Sequence, residues 1–266
     1  QAAAMIGHPD PYSLEGTRVA GSRLREGLLP RSPSFRTPRA RDPARCRSSL
    51  LRRSTTAAAA AKGGDAGIKA HIAAAVADVN SAFKVSQINT TVRLVATGKM
   101  NYDSKGDLGG ALSKLRKDKT ANSLRDSSKA DLLSMMITGS SGGAAGLGAV
   151  MPSEKGNAAA CYSVVHEKFA ISNGSFAHEL GHNLGSNHCW DQGGKGVTNY
   201  AHGHRWKGSD GKGYRSIMSY SKNGDKRTDY FSNPKVSFKG KPTGDATKAD
   251  NGRAFKITAK AVSKYK

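Results

Sequence analysis

From residue 65 onward the apolar positions recur at fixed intervals. In "GIKAHIAAAVADVNSAFKV", Ile68, Ile72, Val76, Val79 and Phe83 fall at steps of three and four, which lays one apolar stripe along a helix. "TVRLVAT" changes the period to two and puts Val92, Leu94 and the small Ala96 on one side, the pattern of a strand. "GDLGGALSKLRK" and "ANSLRDSSKA" read as short helices. "ADLLSMMITG" is a continuous apolar run closed by glycine, which suits a buried strand. "LGAVMPS" reads as an edge strand, "ACYSVVHEKF" as a further strand, and a helix begins near Gly174 to Phe176. After His188 the periodicity fades into glycine and polar residues, until "NGRAFKITAKAVSKY" restores a helical pattern. A sheet-and-helix half followed by an irregular half predicts a cleft between them.

The start of the chain has no such period. Residues 1–61 hold eleven Arg and no Lys, whereas the remainder holds seven Arg and twenty-four Lys. Six of the nine prolines also fall in this first part, which "TTAAAAAKGGDAG" closes. Sequence rich in Arg, Pro and Ser with few apolar residues cannot bury a core. The expectation is that residues 1–62 stay outside the fold, as a leader, a propeptide remnant or appended sequence, and that residues 63–266 form one domain. The formal net charge of +22 attracts anionic surfaces of any kind, or simply solvates a basic face. No run of 18 apolar residues occurs, so no membrane-spanning helix is expected, and no intact secretory signal opens the chain. Of the three cysteines, Cys161 and Cys189 flank the most distinctive stretch and are either bridged or two buried thiols.

That stretch is "HELGHNLGSNH", residues 178 to 188. His178 and His182 are four apart, which puts both imidazoles on one helix face with Cβ atoms about 5–6 Å apart. Two such imidazoles can bind one Zn²⁺. Glu179 follows the first ligand and is placed to act as a base without ligating the metal. A straight helix would carry His188 to another face. Gly185 lets the helix stop and the chain turn, because glycine tolerates positive φ, so His188 can return as a third ligand. Three protein ligands leave the fourth position open, as catalytic zinc requires.

Downstream of His188 lies "YRSIMSYS", whose Met218 is thirty residues on. The extended zinc motif is paired with a methionine-containing turn in metzincins, and Met218 resembles that turn, an apolar floor under the imidazoles. "TVRLVATGKMNYDSKGDLGGALSKLRK", "SLRDSSKADLLSMMITGSS", "SFAHELGHNLG", "YAHGHRW", "YRSIMSYS" and "YFSNPKVSFKGKPTGDATKADNGRAF" follow in order. As a set, over roughly residues 65–258, they resemble the peptidyl-Asp metalloendopeptidase branch of reprolysin-like metzincins. The resemblance implies an α/β metzincin fold: a twisted mixed sheet with an antiparallel edge strand, the active-site helix and a small irregular C-terminal subdomain. It implies one catalytic zinc and a protein or peptide substrate. A secreted or otherwise extracytoplasmic location is also expected, where a Cys161–Cys189 bridge would be stable. The resemblance extends to Tyr220 the role of approaching the zinc or stabilising an oxyanion; a tyrosine that merely packs is the alternative. It also implies cleavage before Asp. Cys189 departs from the pattern, since reprolysin-like sequences commonly place Asp after the third histidine.

The expected chemistry is zinc-dependent hydrolysis of internal peptide bonds, with substrate added as a strand beside Leu147 to Met151. Lys222 is a candidate to bind an acidic substrate side chain, or is a solvated lysine. His202 and His204 are expected to serve structural hydrogen bonds, because the ligand set is already complete. Cys46 raises the idea of a thiolate that occupies the open metal position and keeps the enzyme latent. Two rivals belong to other classes: a basic anion- or nucleic-acid-binding protein with a structural zinc, and an inactive metzincin that binds peptides as a module. A structural site closes with four protein ligands, and Cys189 adjoins His188 too closely to share its metal. Intact Glu179 speaks against the inactive module.

Overall fold

The computed structural model describes residues 46–140 and 142–266. A five-stranded sheet forms the frame. Its strands are β1 (Cys46–Thr55), β2 (Thr90–Met100), β3 (Leu132–Ile137), β4 (Gly146–Gly148) and β5 (Tyr162–His166), in the order β2-β1-β3-β5-β4. The first four in that order run parallel, and β4 closes one edge antiparallel to β5, pairing Gly146 with Val165 and Gly148 with Ser163. This is the mixed sheet with an antiparallel edge expected of a metzincin-like fold.

Helices cover both faces, as parallel strands require. On one face lie α2 (Gly64–Val85), α5 (Ser175–Asn183) and α6 (Asn251–Val262). The stripe of α2 at Ile68, Ile72, Val76, Val79 and Phe83 is buried there with Phe176 and Leu180 of α5 and Phe255 of α6. On the other face α3 (Leu108–Lys117) and α4 (Lys119–Ser127) bury Leu108, Leu112, Leu115 and Ala121 against Leu133, Met135 and Ile137 of β3. Asp107 and Asp118 cap these two helices by accepting from the N–H groups of Gly110 and Ala121. No described helix is long and apolar enough to cross a membrane.

The expected boundary at residue 62 is corrected by β1. Strand β1 lies between β2 and β3, and Leu50, Leu51, Arg52, Arg53, Ser54 and Thr55 are all buried. Its sequence, "CRSSLLRRST", carries three arginines and four Ser/Thr around two leucines, so composition hides it. The arginines are accommodated individually. The Arg52 guanidinium lies 3.7 Å over the Phe176 ring and burial lowers its pKa to about 9. Arg53 donates to the Lys99 carbonyl on β2. Ser49 donates through N–H and Oγ to Asp131 at 2.7 and 2.8 Å, tying β1 to the start of β3. The alanine run becomes a short helix, α1 (Thr56–Ala61), capped by Thr55. Residues 1–45 lie outside the described part.

Past α5 the chain runs through short strands: β6 (Asn187–Cys189), β7 (His202–Gly203), β8 (Arg205–Lys207), β9 (Gly213–Arg215) and β10 (Lys226–Arg227). This half docks on α2. Phe231 packs between Phe83 and Phe255 with ring centroids 5.3 and 5.1 Å away, and Ser86 accepts from the N–H of Phe231 and from the Asn233 amide.

Candidate metal centre

Helix α5 supplies two of the three histidines. Its end is a Schellman turn: Gly185 N–H donates to His182 O and Ser186 N–H to Gly181 O, both at 2.9 Å, with Gly185 at φ 90°. A side chain at Gly185 would also press its Cβ to 2.8 Å from Val197. The turn brings the chain back so that His188 faces the helix. The side-chain nitrogens of His178, His182 and His188 all lie within 4.8 Å of one another, and they are the one such His/Cys/Asp/Glu group among the described residues.

The imidazoles are oriented from behind. His178 Nδ1–H donates to the Ile217 carbonyl and His182 Nδ1–H to the Ser186 carbonyl, each at 2.8 Å. Those bonds fix the tautomer and leave each Nε2 lone pair facing the centre. His202 Nδ1–H donates to the His188 carbonyl at 2.9 Å and steadies the third ligand's backbone, the structural part expected of it. His204 stacks on Trp206 and donates its backbone N–H to Ser216, away from the three histidines.

The spacing fits a metal ion. His182 Nε2 and His188 Nε2 stand 3.2 Å apart. Two nitrogens bound tetrahedrally at about 2.0–2.1 Å would stand about 3.3 Å apart. Burial also keeps these groups neutral, the form that ligates. It drives His178 far below its ordinary range, helped by the other two imidazoles, holds His182 at about 4, and holds His188 at about 3.

Glu179 lies beside the edge strand. A Cβ on Gly146 would fall 2.5 Å from Glu179 Oε1, and one on Gly148 would fall 3.0 Å from Oε2. Both positions of β4 are therefore small so that the carboxyl can fit. Burial pushes the Glu179 carboxyl up to about 8, against the opposing pull of Arg227 and the Gly148 N–H. Met218 lies on the opposite side of α5. A Cβ on Gly181 would fall 2.3 Å from the Met218 sulfur, so the thioether packs against the helix backbone between the two ligand turns.

Tyr220 stacks near the triad, with ring centroids 4.1 Å from His188 and 5.8 Å from His178. Its backbone is clamped on both sides. Gln192 Oε1 accepts from the N–H groups of Tyr220 and Cys189, each at 3.1 Å, and Arg205 donates twice to the Tyr220 carbonyl. Burial, then Glu179, raises its phenol to about 12, so the hydroxyl stays protonated.

Three alternatives that the sequence leaves open are decided. Cys161 and Cys189 are free thiols: Cys161 lies in the core before β5, while Cys189 is hydrogen-bonded to Asp191. Cys46 is also free and lies on β1 against Ser263, the residue that ends α6, 3.4 Å away, so it does not occupy the histidine centre. Lys222 points to Asp191, with Nζ 3.1 Å from Oδ2 and 60% of its side chain exposed, and so serves a surface ion pair. Sequence reasoning passed over Gly146, Gly148, Gln192 and Arg227. None sits in the motif; each reaches the site through tertiary structure.

A parallel sheet with one antiparallel edge strand, a helix carrying two histidines, a third after a glycine turn and a buried glutamate define a metallopeptidase-type site. Residues 50–249 match the model of the metallo-peptidase family M12B, reprolysin-like, and the chain belongs to that family. It is 30% identical over 223 residues to the peptidyl-Asp metalloendopeptidase of Stenotrophomonas maltophilia strain K279a, an alignment that takes in 80% of this chain and 51% of that protein. It is 26% identical to the protein of that name from Pseudomonas aeruginosa, covering 75% of this chain and 37% of the relative. The chain spans about half the length or less of these curated relatives. A solved structure titled "Structure of a chaperone-substrate complex" shares the fold at a TM-score of 0.66 and 20% identity, covering 84% of this chain and 35% of that one.

Proposed function

We propose that the protein is a zinc-dependent endopeptidase that cleaves internal peptide bonds and prefers Asp on the leaving-amine side. The observation that carries the reading is the three-nitrogen centre with a buried carboxyl beside an edge strand. His178, His182 and His188 would hold the zinc ion. When bound, zinc supplies Lewis acidity, making water acidic enough to attack near neutral pH and drawing charge from a carbonyl oxygen.

The remaining roles belong to the chain. Substrate adds as a strand along β4, whose backbone supplies hydrogen bonds with little sequence preference. Glu179 takes a proton from the attacking water and delivers it to the leaving amine. The Tyr220 hydroxyl donates to the developing oxyanion. Met218 is the packed floor that keeps the two helical ligands in register. The name shared by the relatives supports the Asp preference, as does the excess of 31 basic over 16 acidic residues in positions 62–266. We also propose a secreted or otherwise extracytoplasmic location.

Metal analysis and terminal sequencing together test the proposal. About one zinc per chain is expected, with occupancy lost in His182→Ala. Glu179→Ala is expected to keep the metal and lose about 10²–10⁴-fold in turnover. New N-termini from a denatured protein mixture should be enriched in Asp and vanish with chelator. Zinc retained at full occupancy in His182→Ala, or turnover of Glu179→Ala within threefold of the parent, would overturn the assignment.

A further inference from the structure

Away from the metal centre, the end of α6 and the loop that follows the edge strand enclose a cleft of about 510 Å³. Residues 154–158 form one wall, and Ile257, Lys260, Ala261, Lys264 and Tyr265 form the other. The loop is fixed against the helix. A Cβ on Gly156, at φ 86°, would fall 3.0 Å from the Tyr265 ring and 3.1 Å from the Ala261 Cβ, so glycine permits the close approach. The Tyr265 hydroxyl accepts from the Asn157 N–H at 2.7 Å, and Asn157 Oδ1 accepts from the Ala159 N–H at 2.9 Å.

The cleft is basic. Lys155, Lys260 and Lys264 line it, and Glu154 is the one acidic residue of its walls. Lys256, Lys260 and Lys264 are all exposed and recur every four residues along α6 and just past its end. Like charges at that spacing repel one another, and an anionic ligand relieves the repulsion. The ion pairs among the described residues involve none of these four lysines. Ile257, 40% exposed, adds an apolar surface beside the ammonium groups, which suits a polypeptide carrying carboxylates.

Position names the source of that polypeptide. Past β4 the chain runs to Met151, whose N–H donates to the carbonyl of the ligand His182 at 3.0 Å. Three residues later it enters the cleft wall at Glu154, at most about 11 Å further on. Tyr265 joins the two places, because its hydroxyl lies 3.1 Å from the Met151 sulfur while the residue lines the cleft. A substrate laid along β4 and continued past Met151 is carried toward the lysines. Gly148, which flanks Glu179, stands six residues before Glu154, so the substrate reaches the cleft about six residues from the bond cut.

We infer that this cleft is an exosite that takes an acidic stretch of the protein being cleaved, on one side of the scissile bond. The inference rests on the endopeptidase reading and adds to it a second contact with substrate, remote from the metal centre.

The test uses the zinc-loaded full chain and three peptides that share one cleavable core. One carries a run of Asp and Glu starting about six residues before the scissile bond, one carries the run about six residues after it, and one carries Gln in both places. One acidic peptide, and not the other, should exceed the Gln peptide at least about fivefold in kcat/KM, through KM with kcat unchanged. The variant Lys155→Gln/Lys260→Gln/Lys264→Gln should lose that advantage and cleave the Gln peptide as the parent does. Lys114→Gln/Lys117→Gln/Lys119→Gln removes the same charge from α3 and α4, on the other face of the sheet, and should keep it. Equal gain for both acidic peptides would mean a general positive field and overturns the inference. So does no gain for either, or an advantage that survives the cleft variant. Binding of a polyuronate or a single-stranded oligonucleotide that depends on the three lysines, with no acidic-peptide advantage, also overturns it and gives the cleft to another polyanion. A parent that cleaves none of the peptides and no denatured protein refutes the endopeptidase reading instead. The anisotropy of a labelled acidic peptide then decides the cleft: a rise with the parent and not with the cleft variant upholds a peptide site, and no rise overturns it.

Discussion

Between Cys46 and Asn183, backbone pairs with backbone and apolar side chains fill the layers between sheet and helices. Between Asn187 and Asp250 the strands are two or three residues long, and polar side chains take over. Asp225 is buried with Arg215 at 2.8 Å and Arg205 at 3.3 Å. Ser232 Oγ donates to the His202 carbonyl and accepts from the Asn251 N–H. The metal centre lies on the seam. Two ligands come from the regular half, the third ligand and Tyr220 from the irregular one. The difference shows how the labour is divided. The layered half supplies a rigid helix and edge strand, and the polar half sets the positions of loops whose backbone groups no sheet would satisfy.

The sharpest way to break this contrast is to remove β1. A protein comprising residues 63–266 would lose the strand between β2 and β3 and leave both with unpaired edges and an open core. It is expected to show no cooperative thermal unfolding. A melt within a few degrees of the full chain would show that the layered half does not need its second strand. In the irregular half the matching lesion is Asp225→Ala, which leaves Arg215 buried without its carboxylate. Removing one partner of a buried pair costs about 3–5 kcal/mol. Urea unfolding should show this loss, and a cost below about 1 kcal/mol would mean that the ion cluster does not hold this half.

The same contrast explains what could be read from the sequence. The α2 stripe, the strands β2, β3 and β5 and the turn at Gly185 follow from local period and local conformational preference, and a sequence carries both. The histidine motif is local too, which is why His178, His182 and His188 were legible as a group. Strand β1 was not, because its fit depends on Phe176 and Lys99 receiving two arginines from more than forty residues away. Gln192, which joins Cys189 to Tyr220, and Arg227, which joins Asn173 to Ser219, were illegible for the same reason. Lys222 lies four residues after Met218 in sequence, yet its ammonium pairs with Asp191 at the surface.

Gly185→Ala probes the seam itself. The left-handed conformation costs a residue with a Cβ about 1–2 kcal/mol, and Val197 must also shift. The turn carries Ser186, whose carbonyl orients His182, and leads into His188. Metal affinity should therefore fall together with stability, by zinc titration against a competing chelator. A variant that loses stability but binds zinc as the parent does would separate the turn from the ligand geometry.

The smallest effect expected concerns pH and belongs to the irregular half alone. Partial burial pushes the Asp191 carboxyl up, but hydrogen bonds from Cys189 and Lys222 and the charge of Arg205 outweigh it and hold the group at about 2. An unfolded aspartate titrates near about 3.9. The folded value is the lower one, so the stability Asp191 contributes is fully present above the unfolded value and disappears as pH falls toward about 2. Asp191→Asn removes that titration and leaves the other carboxylates in place, so the difference between the two proteins isolates it. The variant should melt below the parent at neutral pH. Partly exposed pairs contribute about 0–1 kcal/mol, which for a domain of this size is up to about 4 °C. The gap should narrow as pH falls below about 4 and close near the folded value, where the parent's carboxyl is protonated too. It should also shrink in high salt, because Lys222 is exposed and its attraction is screened. A gap that stays constant from neutral pH down to acid would mean that Asp191 acts through shape and neutral hydrogen bonding, and that its charge does not hold Arg205 and Lys222 beside the third ligand.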